Sequence, residues 1–235
     1  QSNTTPFQIS TNNLVACLTS IDLTLTVNFT GGTSPQVINF TIPVGQAANP
    51  NYTFTGSAGA TIPPGGVLVS AATQADDATA TTTTPFAFTV YGTPVASGQT
   101  ILVSTNGNVQ FAAAGTNAYL NATLPISATA GTGVTGTFPA AAPTLFPYWD
   151  DLNLAGAANG VYTSTTGVAP NRIYTIEWRG VTFTGSNAVN FAVQFQENSD
   201  QFSYIYNNSA AANGSSATVG VQAASSGTQF TTFSH

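Results

Sequence analysis

Apolar and polar residues alternate in short runs along most of the chain. The first clear run, at 21–27, alternates aliphatic residues with Asp, Thr and Thr, and a second follows at 37–42. A spacing of two places the apolar side chains on one face of a strand. Similar runs recur at 52–55, 67–70, 86–91, 101–104, 109–112, 161–164, 173–181, 188–197, 201–206, 218–222 and 229–233. The pattern predicts about a dozen short strands.

Turn residues separate these runs, and helix signals are nearly absent. The chain has 22 glycines and 13 prolines spread throughout, and Asn106-Gly107 between two apolar runs is typical of a β-hairpin turn. Stretches rich in Glu, Lys and Leu do not occur. The sequence therefore predicts an all-β fold, a β-sandwich with jelly-roll or Greek-key-like connections and an N-terminal β extension.

Two segments depart from this pattern. Residues 79–84 form a Thr/Ala run, which we interpret as a linker or a site of O-glycans. Residues 128–143 are rich in Gly, Ala, Thr and Pro, and they predict a long surface loop.

The chain is unusually poor in charge. Only 4% of its residues are charged, and the net charge is −6 with two arginines, whereas an average soluble domain has about 25% charged residues. Two arginines cannot form a nucleic-acid groove or a polybasic lipid site. No apolar run reaches the ~20 residues of a membrane span. We expect an extracellular or cell-surface protein, with Gln1 left by signal-peptide cleavage, and the single Cys17 as a small apolar residue.

Five motifs occur in order along the chain: 85–92 (PFAFTVYG), 103–111 (VSTNGNVQF), 145–152 (LFPYWDDL), 170–179 (PNRIYTIEWR) and 217–222 (ATVGVQ). Together they resemble the nidogen-like β-sandwich domain of secreted bacterial surface proteins, over about residues 60–234. The resemblance implies an extracellular β-rich domain and carries over no catalytic residue. It also implies cysteines near Asp76-Asp77 and the C-terminus, where this chain has none.

The resemblance divides the chain. We expect a nidogen-like β-sandwich over 60–235, a β segment over 13–59 and a possible donor strand over 1–12. The sequence leaves open whether residues 1–59 form a separate domain.

Half of the ten charged residues fall in two of these motifs. Arg172, Glu177 and Arg179 lie in one strand run, and Asp150-Asp151 follow Trp149. We expect them to form a structural ion cluster, because breaking one side of a buried pair costs ~3–5 kcal/mol. Two alternatives remain open, a Ca²⁺ site at the two aspartates and a glycosidase carboxylate pair. No D-x-D-x-D-G loop occurs, so no cofactor is expected.

Catalytic motifs are absent from the sequence. No G-x-S-x-G, P-loop or HExxH motif occurs, and His235 is the terminal residue. We therefore expect a protein that is not an enzyme.

Seven asparagines head an N-x-S/T sequon. Covalent glycans there would supply the polar surface that the missing charges do not. The candidate positions are Asn3, Asn28, Asn39, Asn51, Asn121, Asn207 and Asn213.

The N-terminal segment suggests how the protein acts. Phe7 and Ile9 alternate around Gln8, and such a strand can add to the sheet edge of a neighbouring copy. Head-to-tail donation does not close and builds a filament. We predict a secreted structural protein that self-assembles into a filament or surface layer. The alternatives are a monomeric adhesin or glycan-binding module using the loop at 128–143, and an N-terminal strand packed on its own domain.

Overall fold

The computed structural model describes residues 19–44, 51–127, 136–207 and 212–234. Regular structure in these ranges is almost entirely β, with one short 3-10 turn at Ala71–Thr73. No described helix is long and apolar enough to cross a membrane. The strands are β1 Thr19–Val27, β2 Gln36–Val44, β3 Val67–Leu68, β4 Thr79–Thr83, β5 Phe88–Val90, β6 Thr93–Val95, β7 Thr100–Ser104, β8 Asn108–Gln110, β9 Thr144–Trp149, β10 Leu152–Asn153, β11 Gly160–Thr166, β12 Ile173–Thr182, β13 Ala188–Gln196, β14 Phe202–Asn207, β15 Thr218–Gln222 and β16 Phe230–Ser234.

The chain divides into two compact units, Gln1–Pro50 and Asn51–His235. In the first unit β1 and β2 form an antiparallel hairpin in which Leu23 lies opposite Phe40. Because apolar and polar residues alternate along both strands, the hairpin has one apolar face and one largely polar face. The second unit begins at Asn51, nine residues before the boundary expected at 60.

The second unit is a β-sandwich, so the predicted fold class is confirmed. One sheet has the order β14-β13-β12-β11-β3, with β10 also paired to β12. The other has the order β16-β15-β9-β8-β7-β4, and β5 and β6 form a separate hairpin. The described pairs between strands are all antiparallel.

The main core lies between the two sheets. Alternate residues of β12 and β13 supply Ile176, Trp178 and Phe191, and the facing sheet supplies Val103 and Val109 among others. The Trp178 ring stacks on Phe191 with centroids 5.1 Å apart. Its indole N–H donates to the Ser104 carbonyl at 2.8 Å, which joins the two sheets directly.

A second core cluster lies around β9. Phe146 and Trp149 pack with Phe138, and Ala118, Leu124 and Ile126 complete the cluster. Every residue of β9 is buried. This strand therefore has apolar side chains on both faces, and it shows no alternation in the sequence. Phe138 is buried although it lies in the expected surface loop at 128–143, of which residues 128–135 fall outside the described ranges.

Two segments differ from the sequence-based interpretation. The Thr/Ala run at 79–84, expected as a linker, contains β4, an edge strand paired with β7. Threonine is β-branched and favours strands, even where no large apolar residue is present. The run at 52–55 forms no strand. Tyr52 instead receives the Tyr91 N–H at 3.0 Å and donates its hydroxyl to the Asp200 carbonyl at 3.0 Å.

We predict that Trp178→Phe lowers the free energy of unfolding by about 2–4 kcal/mol, since the substitution removes buried ring volume and the indole hydrogen bond to the Ser104 carbonyl, which then keeps the Gly107 N–H at 3.2 Å. Urea unfolding monitored by circular dichroism measures the change. Phe183 is 54% exposed, so Phe183→Leu is the control and should stay within about 0.5 kcal/mol. Equal losses in the two variants would contradict the assigned role of the indole.

Candidate functional site

The turn that joins β7 to β8 lies inside the protein. Thr105 and Asn106 in this turn are fully buried, as are Ser104, Asn108 and Gln110 in the flanking strands. Gly107 has a φ of +76°, which favours glycine. A Cβ at this position would overlap the Tyr148 carbonyl, so the close approach of β9 also requires glycine.

The Asn106 side chain binds three separate segments. Its amide nitrogen donates to the Asp77 carboxylate at 2.8 Å and to the Asn117 carbonyl at 2.9 Å. Its oxygen accepts the Leu152 N–H at 2.9 Å. One buried carboxamide thus fixes the loop before β4, the chain after β8 and the start of β10.

Three carboxylates meet beside this asparagine. Oxygen atoms of Asp76, Asp77 and Asp151 all lie within 4.8 Å of one another. Oδ1 of Asp76 is buried and has no hydrogen-bond partner. The donor set is oxygen only, which suits a hard cation such as Ca²⁺. The sequence places Asp76 and Asp77 side by side, but the approach of Asp151 depends on the tertiary fold.

Burial and mutual repulsion shift the pKa values of this cluster. Burial first, and then the charges of Asp77, Asp76 and Asp150, raise the pKa of Asp151 to about 6. Burial and the neighbouring Asp77 also raise the pKa of Asp76. Both effects disfavour the charged form of a carboxyl group. The fold therefore holds these carboxyl groups where ionisation of Asp76 and Asp151 is disfavoured.

Glutamates bind both arginines, so the expected cluster does not form with Asp150 and Asp151, and only its Glu177–Arg179 pair is present. Arg179 binds Glu177 through two hydrogen bonds of 2.8 and 2.9 Å. Arg172 binds Glu197 instead, at 2.5 and 2.8 Å, because the β12–β13 register brings these two strand ends together. The hydrogen bonds from Arg172 lower the pKa of Glu197.

Each guanidinium also contacts an aromatic ring. Arg179 lies over the Tyr162 ring at 3.9 Å from its centroid, and Arg172 lies over Phe86 at 5.2 Å. Asn190 adds a hydrogen bond to Glu177 at 2.7 Å. Both arginines therefore have roles in holding strands of one sheet together.

The two aspartates that follow Trp149 have different surroundings. Asp150 accepts a hydrogen bond from the Ser216 hydroxyl at 2.6 Å and another from the Asp151 N–H at 2.9 Å. Asp151 joins Asp76 and Asp77. Asp150 thus closes a turn toward Ser216, and neither aspartate pairs with an arginine among the described ion pairs.

The sequons differ in accessibility. Asn28, Asn39, Asn51, Asn207 and Asn213 are exposed. Asn121 is half-buried, and its amide donates to the carbonyls of Trp149 and Ser216. Asn3 and the expected donor residues Phe7 and Ile9 lie outside the described residues.

Comparison with known proteins gives a match over the second unit. A family model described as NIDO related matches residues 51–235. No curated protein and no solved structure matches the chain.

We predict that the protein loses stability as pH rises from about 4 to about 6, since a carboxyl whose folded pKa lies above its unfolded pKa binds more protons in the folded state. Asp151→Asn should raise the melting temperature at pH 7 and flatten this dependence. Scanning calorimetry in buffers that contain EDTA measures both effects without bound cations.

Asp200→Asn is the control for the loss of one negative charge, because Asp200 is exposed and lies outside the cluster. This variant should retain the pH dependence of the unsubstituted protein. A melting temperature of Asp151→Asn at pH 7 equal to or below that of the unsubstituted protein would contradict the charge-repulsion argument.

Proposed function

The chain belongs to the NIDO-related family, as its resemblance to nidogen-like domains predicted, and we propose that it is an extracellular structural protein that assembles with copies of itself. A nidogen-like domain indicates an extracellular location. We propose no catalytic role, and we propose assembly by donation of the N-terminal segment that contains Phe7 and Ile9.

The partly exposed apolar face of the β1–β2 hairpin, as the described residues show it, supports this proposal. Ile38, Phe40 and Ile42 are 52%, 45% and 39% exposed on one strand, and Ile21, Leu23 and Leu25 share the same face of the other. A hairpin of two strands is marginally stable in water without further strands or a covering layer. Exposed apolar surface that is continuous over two strands is typical of a contact with another protein.

The low charge of the chain also supports self-assembly. Charged residues protect sheet edges against pairing with other chains. With 4% charged residues and no lysine, this chain has few residues that could prevent such pairing. A neighbouring copy can therefore add a strand without burying unpaired charge.

We further propose that exposed sequons carry covalent glycans. Asn121 should stay unmodified in the folded protein, because its amide nitrogen already donates to two backbone carbonyls. Peptide mapping by mass spectrometry of protein from its native source tests the difference. Glycan at Asn121, with none at Asn39, Asn207 and Asn213, would contradict the accessibility argument.

We predict that deleting residues 1–12 abolishes high-mass particles and leaves soluble, folded protein. Negative-stain microscopy and sedimentation velocity measure the result. Burial of two apolar side chains contributes roughly 3–6 kcal/mol, so Phe7→Asp with Ile9→Asp should weaken each contact at least ~100-fold.

Gln8→Asp is the matched control, because residue 8 alternates with the two apolar positions in the sequence, and successive residues of a strand face opposite sides. This variant should still polymerise. Polymers that are unchanged after deletion of residues 1–12 would contradict the proposal of strand donation. A dispersed monomer from unsubstituted protein would favour the binding-module alternative.

A further inference from the structure

The outer edge of β1 is a second surface suited to contact with another copy. Strand β1 is nine residues long. Among the described residues its sheet has only two strands, so β1 pairs with β2 on one side and with no strand on the other. The backbone N–H and C=O groups along such an edge form a ready template for another strand.

The corresponding edge of β2 is less suitable. Pro43 has no N–H to donate, so β2 contains a residue that cannot act as a backbone donor in a sheet, whereas β1 contains none. The exposed sequon asparagine Asn39 also lies on β2, and a glycan there would crowd a neighbour. Strand β1 has neither a proline nor a sequon asparagine within its bounds, and the exposed sequon asparagine Asn28 lies just beyond its end.

Charge on β1 does not oppose pairing. Asp22 is its only charged residue. The Thr41 hydroxyl of β2 donates to the Asp22 carboxylate at 2.8 Å, which draws that carboxylate toward β2 and away from the free edge. Native edge strands that avoid association typically carry lysines or inward-pointing charges, and β1 has none of these.

The sequence of β1 complements itself. When two copies run antiparallel with Leu23 opposite Leu23, all nine residues overlap, Ile21 faces Leu25, and Asp22 faces Thr24. Apolar residues then meet only on one face, and no two carboxylates lie directly opposite each other. A contact of this kind has two-fold symmetry and closes on itself.

We propose that β1 pairs antiparallel with β1 of a second copy, centred on Leu23, to form a four-stranded sheet. The inference rests on the proposed self-assembly and names a contact distinct from strand donation. Donation by residues 1–12 extends head to tail, whereas the β1 contact joins chains in pairs. A sheet of four strands with one apolar face also meets the number of strands that independent stability in water requires, which an isolated hairpin does not.

Single cysteines test this register in the full chain. In a Cys17→Ser background, Leu23→Cys places two thiols opposite each other across the two-fold axis. Directly opposed residues lie about 4.5–5.5 Å apart between Cα atoms, within the range that a disulfide requires. We expect a covalent dimer under mild oxidation, seen on a non-reducing gel.

Leu25→Cys in the same background is the matched control. It has the same residue type on the same strand and face, but its two copies lie roughly 14 Å apart along the strand at about 3.4 Å per residue. The Leu23→Cys variant should give about tenfold more covalent dimer, because a disulfide forms only below ~7 Å between Cα atoms. Equal yields, or no dimer at Leu23→Cys, would overturn the proposal.

A second experiment uses charged residues in place of cysteine, so that the test does not depend on disulfide formation. Leu23→Lys and Leu23→Glu should each disperse the pairs, and an equal mixture of the two should restore them, as measured by sedimentation velocity. No recovery in the mixture would overturn the two-fold contact. Loss of polymers on deletion of residues 1–12, with the Leu23→Cys dimer retained, would show that the two contacts are separate. If the Leu23→Cys protein forms the dimer but never polymerises, the result would contradict the proposed filament and leave the β1 contact supported.

Discussion

The side chain of Asn106 is the polar link on which the arrangement of the sandwich depends. It holds Asp77, Asn117 and Leu152 at once, from a turn with no access to solvent. A buried carboxamide that lost these partners would leave several polar groups unpaired in a medium of low dielectric constant. The requirement for glycine at the next position has the same origin, since β9 passes directly over the turn. The VSTNG motif is therefore explained by packing and hydrogen bonding alone.

Strands with one buried face could be predicted from alternation, and strands with two could not. The patterns at 21–27, 173–181 and 188–197 mark β1, β12 and β13, with small shifts at their ends. Strand β9 is apolar on both sides, so its sequence gives no period. Strand β4 consists of Thr and Ala and gives no apolar signal. In both cases the neighbours in the sheet, which the local sequence does not specify, determine the strand.

Among the charged residues, too, some contacts can be predicted from neighbouring positions in the sequence, and others depend on the tertiary fold. The Glu177–Arg179 pair has a spacing of two on one strand, so its members share a face and sequence alone could suggest it. The Arg172–Glu197 pair depends on the register between two strands, and the aspartate cluster depends on the approach of two loops. Because both cations are bound by glutamates, the fold leaves the three aspartates without a cationic partner in the described part of the chain. Burial first, and then the neighbouring carboxylates, raise the pKa values of Asp76 and Asp151.

The two arginine pairs bear on proteolysis. Proteases that cleave after basic residues have only two target bonds in the chain, those after Arg172 and Arg179. The second lies inside β12, which is paired on both sides by β11 and β13, and the first precedes that strand by one residue. Proteolytic nicking favours exposed, mobile loop tips, whereas both guanidiniums here are held by glutamates and lie over aromatic rings. A trypsin-like protease would therefore have to separate β12 from its neighbouring strands to cut after Arg179, and release the Arg172–Glu197 pair to cut after Arg172.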